Sequence, residues 1–293
     1  MKRYFFAAVL IIISAISLFC QDDLSKAKEL INEKKYSESK SIVKKIIEKN
    51  GKIAEAHYLL SKLYYVEKNI DDAEEEAETA VDINGNVAEY HYWLGACYGR
   101  DAQSASIFRQ PFLASKTKNE FLKAIQLDPN HANARAALAQ YYLMAPGIMG
   151  GDINKAIEQA KILTRLDEVR GKSLLIQIFT KQNNFKDAEN EFISLEKKIG
   201  NDKKYFTFYN SYGYFLLSRG RVDEAIQKFK RQIELAPENA NAHDSFGEAL
   251  LKKGMLHESL AEYNKALQLD PDLKNSKDKV EEIKKLIAEK GGR

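Results

Sequence analysis

The stretch Ala240–Pro271, ANAHDSFGEALLKKGMLHESLAEYNKALQLDP, decides how the chain folds. It divides into two short amphipathic segments. The first places Phe246, Gly247 and Leu250 on one helical face before Gly254 interrupts it. The second restarts at Met255, carries Leu260, Tyr263 and Ala266, and stops at Asp270-Pro271. Spacings of three and four residues put these apolar side chains on one stripe of each helix. Two such helices cannot bury both stripes by themselves, so the pattern predicts neighbours of the same kind.

Those neighbours are present. Tyr212-Gly213, Ala225, Phe229 and Pro237 repeat the same marks upstream, preceded by Leu175, Phe179, Asn183, Ala188 and Phe192. Leu138-Ala139, Tyr142, Ala156 and Ala160 form another copy, and Leu94-Gly95, Tyr98, Phe121, Ala124 and Pro129 one more. Leu60, Tyr64, Ala73, Ala77 and Ala80 give a sixth, with a degenerate unit before it at Ala27, Tyr36 and Val43. The pattern resembles the tetratricopeptide repeat, in which L-G and Y are followed by A-x3-F and a closing P. The resemblance covers nearly everything after residue 20. It implies an all-α solenoid of helical hairpins, a right-handed superhelix of six clear repeats over 21–271. The degenerate repeat would begin it, and a helix over 272–293 would cap its last apolar face with Val280, Ile283, Leu286 and Ile287.

Composition agrees with a long helical core. Of 293 residues, 44% are hydrophobic and 30% charged, with five prolines. Lys and Arg number 45 against 42 acids, a balance too weak to attract nucleic acid. Residues 1–20, MKRYFFAAVLIIISAISLFC, open with Lys2 and Arg3 and continue with an apolar run from Phe5 to Ile16. That layout is a secretory signal peptide and predicts an exported, periplasmic or envelope-associated protein. The run is shorter than the ~20 residues of a spanning helix, which disfavours an uncleaved anchor. Cys20 is a candidate for lipidation, although Phe19 stands where such signals place a small residue; cleavage after Ser17 or after Cys20 stays open. A lipid anchor there is the one membrane contact expected. Removal of the leader leaves Cys97, which reads as a small core residue.

Two repeats are interrupted between their helices. About ten extra residues fall near 99–117 and five near 144–152, so both insertions are expected side by side on one edge. Ile107, Phe108, Phe112 and Leu113 are expected to tuck onto that edge, or else to form a docking patch. Gly147–Asp152 is glycine-rich ahead of a helix, but lacks the Gly-Lys-Ser/Thr ending of a nucleotide-binding loop. The acidic run Asp71-Asp72, Glu74-Glu75-Glu76 is expected to be solvated.

The family resemblance implies that the first helix of each pair lines a concave groove. Projected onto this sequence, the groove collects Tyr58, Lys62, Tyr65, Tyr92 and Trp93, then Asn133, Gln140 and Gln177. Asn210, Tyr214, Asn241, Asp244 and Glu248 follow. Aromatic rings and amides suit an extended peptide, so the expectation is a non-enzymatic scaffold or adaptor binding a protein or peptide, without a cofactor. One alternative is an enzyme or small-molecule-binding subunit using the Gly147–Asp152 loop. Another is a structural spacer or a self-assembling chain, against which the aromatic groove residues argue. A carboxylate-clamping set of the kind found in chaperone-binding relatives is not evident. His57, His91 and His243 share one internal position and are expected to fill a packing slot rather than bind metal; no H-E-x-x-H or G-x-S-x-G signature occurs.

Overall fold

Alternating apolar stripes and turn residues produce a chain of paired helices in the computed structural model, which describes residues 21–291. The leader and Cys20 therefore lie outside the described residues. The helices are α1 (21–32), α2 (Tyr36–Lys49), α3 (Ala54–Val66), α4 (Ile70–Ile83) and α5 (Ala88–Ser104). They continue with α6 (Gln110–Leu127), α7 (Ala132–Met144), α8 (Ile153–Leu166), α9 (Glu168–Lys181) and α10 (Phe185–Ile199). The last are α11 (Phe206–Ser218), α12 (Val222–Leu235), α13 (Ala240–Lys253), α14 (Leu256–Leu269) and α15 (Lys274–Gly291). No strand occurs among the described residues. None of their helices is long and apolar enough to cross a membrane.

The chain divides into two units, one up to Glu191 and one from Phe192. In the first, sequential helices from α2 to α9 pack on one another, and α3–α5, α5–α7 and α7–α9 also touch. Odd-numbered helices thus form one layer and even-numbered helices back it. In the second unit α11 and α13 touch in the same way, and α15 covers the apolar side of α14 through Val280 and Ile283 against Tyr263.

The L-G mark works by letting paired helices approach closely. A Cβ at Gly95 would lie 2.7 Å from the Phe121 ring, and one at Gly213 would lie 2.6 Å from the Phe229 ring. At Gly247 the corresponding distance to Tyr263 is 3.0 Å. Where the position is Ser61 or Ala139, the residue in the aromatic's place is Ala77 or Ala160, so the volume is exchanged rather than lost.

Turns inside the pairs share one device. Lys34, Lys68, Asn183, Gly220 and Gly254 all adopt positive φ, between 57° and 81°, just past the first helix of their pairs. This left-handed residue stops the helix and satisfies its last carbonyls. The equivalent of Lys68 in the next repeat is Ala102, which stays helical, so α5 runs on to Ser104. The first insertion consequently lengthens α5 and α6 instead of forming a loop. The second keeps α7 short and adds a 3-10 turn over Gly147–Met149, which packs against α6.

Candidate functional site

The odd-numbered layer of the first unit carries the expected aromatic residues, and most of them are tied to one another. Tyr58 is buried and donates to Glu89 Oε1 at 2.7 Å; Lys62 Nζ donates to the Tyr58 hydroxyl at 3.2 Å. His131 accepts from the Ala134 amide through Nδ1, which fixes its proton on Nε2, 3.1 Å from Glu89 Oε2. Burial pushes the Glu89 carboxyl up, but the hydrogen bonds from His131 and Tyr58 outweigh it and hold the group below its ordinary value. Burial and the bond to Glu89 push the Tyr58 phenol up.

Trp93 joins the same network. Its Nε1 donates to Ser61 Oγ at 2.7 Å, and its ring meets Tyr58 edge-on at 6.2 Å and Tyr65 at 5.1 Å. Tyr92 lies 6.1 Å from Phe121 and 5.4 Å from His131. Tyr58, Lys62, Tyr65, Tyr92 and Trp93 are thus brought together, yet as connectors between α3, α5 and α7. Tyr58 presents little surface, whereas the other four are half-buried.

Further along the layer the surface opens. An open cleft of about 330 Å³ is lined by Ala136, Gln140, Leu163, Val169, Arg170, Ser173, Leu174 and Gln177. Leu163 and Leu174 are buried and form an apolar floor, while Gln140 and Gln177 are exposed. Gln140 and Gln177 are legible in the sequence as groove residues; Ser173 and Arg170, one and two turns earlier on α9, are not. Arg170 Nη1 donates to Asn133 Oδ1 at 3.0 Å, which turns the guanidinium along the layer. In the second unit Tyr214 donates to Glu248 at 3.0 Å and accepts from the Ser245 hydroxyl at 3.2 Å. Asp244 accepts from Ser276 and from Asn275, so it anchors α15. Asn210 is half-buried with an unpartnered Oδ1, and Asn241 is exposed.

The three equivalent histidines are structural pins. His57, His91 and His243 each place Nε2 3.0 Å from a backbone carbonyl six residues back, at Gly51, Gly85 and Pro237. A carbonyl only accepts, so Nε2 carries hydrogen, and Nδ1 then shares a proton with Glu76, Glu120 or Glu262 at 2.5–2.6 Å. Glu76 is therefore not part of a freely solvated run. Glu74 is also half-buried, and burial followed by repulsion from Asp101 and Glu78 pushes its carboxyl up.

Cys97 is fully buried beside Ser61, and burial pushes its thiol up to about 12, the opposite of an activated nucleophile. The Gly147–Asp152 loop spends its amides internally. Met149 and Gly151 donate to Pro146, Gly150 to Gly147, and Asp152 to Tyr142. The Asp152 carboxylate accepts from the Asn154 and Lys155 amides, where a phosphate would have to sit.

The two insertions lie side by side, since the 3-10 turn packs against α6. Leu113 tucks in at 1% exposure, as expected of all four apolar residues there. Phe108, Ile107 and Phe112 do not; they stand 90%, 73% and 61% exposed. Arg109 is held by Asp101 and Gln110 by the Ala105 carbonyl, bonds that brace the turn with its apolar side chains outward.

Models of the tetratricopeptide repeat match residues 120–158, 174–240 and 216–273. Among solved structures, the chain is similar to a tetratricopeptide repeat protein from Parabacteroides merdae. That match is 12% identical, covers 90% of this chain and 98% of that one, and has a TM-score of 0.62. It is similar to the C-terminal part of a TPR repeat-containing protein from Cytophaga hutchinsonii, at 16% identity, 88% and 99% coverage and a TM-score of 0.60. Yeast Tom70 matches at 15% identity and a TM-score of 0.62 over 86% of this chain, which spans 52% of that structure. At these identities the likeness is one of fold. No curated protein matches the sequence.

Proposed function

We propose, from the premise that this chain belongs to the tetratricopeptide repeat family, that it is an envelope scaffold holding an extended protein segment along its odd-numbered helices. The family fold is that of a protein–protein interaction scaffold; the envelope address rests on the leader, and the binding surface on the cleft. One observation carries the reading: the cleft between Gln140 and Gln177 pairs an apolar floor with amides and a guanidinium at its rim. Such a surface takes an apolar side chain below while bonding a peptide backbone above, with Arg170 suited to a carboxylate on the same segment.

The aromatic network upstream has a different part. The Tyr58 hydroxyl and the Trp93 indole N–H are already bonded and the rings already packed on one another, so it holds α3, α5 and α7 in register, with Tyr65 and Tyr92 offering a continuation of the surface. Binding is thus centred on α7 and α9. The test is capture of interacting proteins from the native envelope with Gln140→Ala/Arg170→Ala/Gln177→Ala and, as control, Lys161→Ala on the outer face of α8. The cleft variant, with unchanged circular dichroism, is expected to lose a partner that wild type and the control keep. Retention of every partner by the cleft variant would overturn the assignment.

A further inference from the structure

The five most exposed large apolar side chains among the described residues are Ile148 at 94%, Phe108 at 90%, Ile107 at 73%, Met144 at 62% and Phe112 at 61%. All five belong to the two insertions. The uninserted turns on the same edge of the first unit, Glu67-Lys68-Asn69 and Gln182-Asn183-Asn184, are polar. Apart from Val66, 47% exposed at the end of α3, the edge is polar where the repeat is regular, and its large apolar protrusions stand where residues have been added.

The first insertion is itself cationic, although Glu74 and Glu78 of α4 face its Arg109 and Lys116. The hairpin 99–118 holds Arg100, Arg109, Lys116 and Lys118 against a single carboxylate, Asp101. Its surplus equals the +3 of the whole chain, so the remainder is balanced. Arg109 bonds Asp101, and Lys116 bonds Glu78 while lying over the Phe112 ring at 5.2 Å. Arg100 and Lys118 have no carboxylate partner among the described residues; Lys118 reaches across to Gly150 and so stands between the two insertions.

We propose that these two insertions form a membrane-docking edge. Ile107, Phe108, Phe112, Met144 and Ile148 enter the interfacial zone of an anionic bilayer, while Arg100 and Lys118 meet its headgroups. Side chains this exposed protrude, with nothing around them to shape a pocket. A protein partner would have to supply the whole of the complementary cavity, whereas the headgroup–acyl boundary requires none. Cations beside the apolar tips favour anionic lipid over zwitterionic lipid. This contact is separate from any anchor at Cys20 and independent of what the cleft binds.

The chain contains one tryptophan, Trp93, engaged between α3 and α5, which serves as an internal spectator. Phe108→Trp and Ile148→Trp are placed in the full chain, with Leu166→Trp at the α8–α9 turn as a control. Each is mixed with vesicles of brominated phosphatidylcholine and phosphatidylglycerol in equal parts, or of brominated phosphatidylcholine alone. Emission from positions 108 and 148 is expected to be quenched by the anionic vesicles only, with Trp93 and position 166 unaffected. The equilibrium constant for tip insertion, read from the lipid titration, is expected to fall about fivefold for Arg100→Gln or Lys118→Gln. Anionic vesicles that leave positions 108 and 148 unquenched would overturn the proposal, as would equal quenching by both lipids. A lipid-free emission shift that grows with protein concentration would overturn it in favour of contact between copies of the chain.

Discussion

At the scale of single residues, the fold depends on volume exchanged across each helix pair. Replacing Gly213 by Ala sets a methyl 2.6 Å from the fully buried Phe229 ring, which has no room to retreat. Overpacking of this kind costs about 1–3 kcal/mol, against a gain of about 1 kcal/mol in helix propensity. At Gly247 the methyl would lie 3.0 Å from Tyr263, so the two effects nearly cancel. Urea unfolding is therefore expected to show Gly213→Ala as clearly destabilised and Gly247→Ala as close to wild type. Equal losses in both would contradict this role for the L-G position. The marks themselves are legible in the sequence because spacing survives without knowledge of contacts. The left-handed turn residues Lys34 and Lys68 are not, because lysine carries no preference for positive φ and only the surrounding turn imposes it.

At the scale of elements, α3, α5 and α7 are joined by the chain of bonds from Lys62 through Tyr58 and Glu89 to His131. The folded state keeps the Tyr58 phenol protonated where the unfolded chain, with an ordinary value of about 10, releases it. Tyr90 behaves alike, pushed up to about 12 by burial and then by Glu55. Above the unfolded value the unfolded chain binds fewer protons, so stability is full below pH ~10 and falls as pH rises. Tyr58→Phe removes one such proton, so its stability is expected to fall less steeply between about pH 10 and 11, by about 1.4 kcal/mol per unit at most. Parallel denaturation midpoints for variant and wild type across that range would contradict the assignment. Sequence periodicity places Tyr58 on the right face but does not distinguish a groove residue from a connector, since both occupy the same stripe. The insertions are legible as extra length between helices; their helical form is not, because neither Lys68 nor Ala102 carries a turn preference that would separate a stop in one repeat from a continuation in the next.

At the scale of the whole molecule, the described helix pairs and α15 are built from one rule, and function resides in the departures from it. The cleft appears where Gln140 and Gln177 are exposed over an apolar floor, and the prominence where two turns are lengthened. That a partner lies along the odd-numbered helices is tested most directly by photo-crosslinking in the native host. A photoreactive amino acid is placed singly at Gln140, Gln177 or Tyr65, and at Lys161 on the outer face of α8. One shared crosslinked partner is expected from Gln140 and Gln177, a weaker product from Tyr65 and none from Lys161. The same products from Lys161 as from Gln177, or products from Lys161 alone, would contradict a partner seated in the cleft.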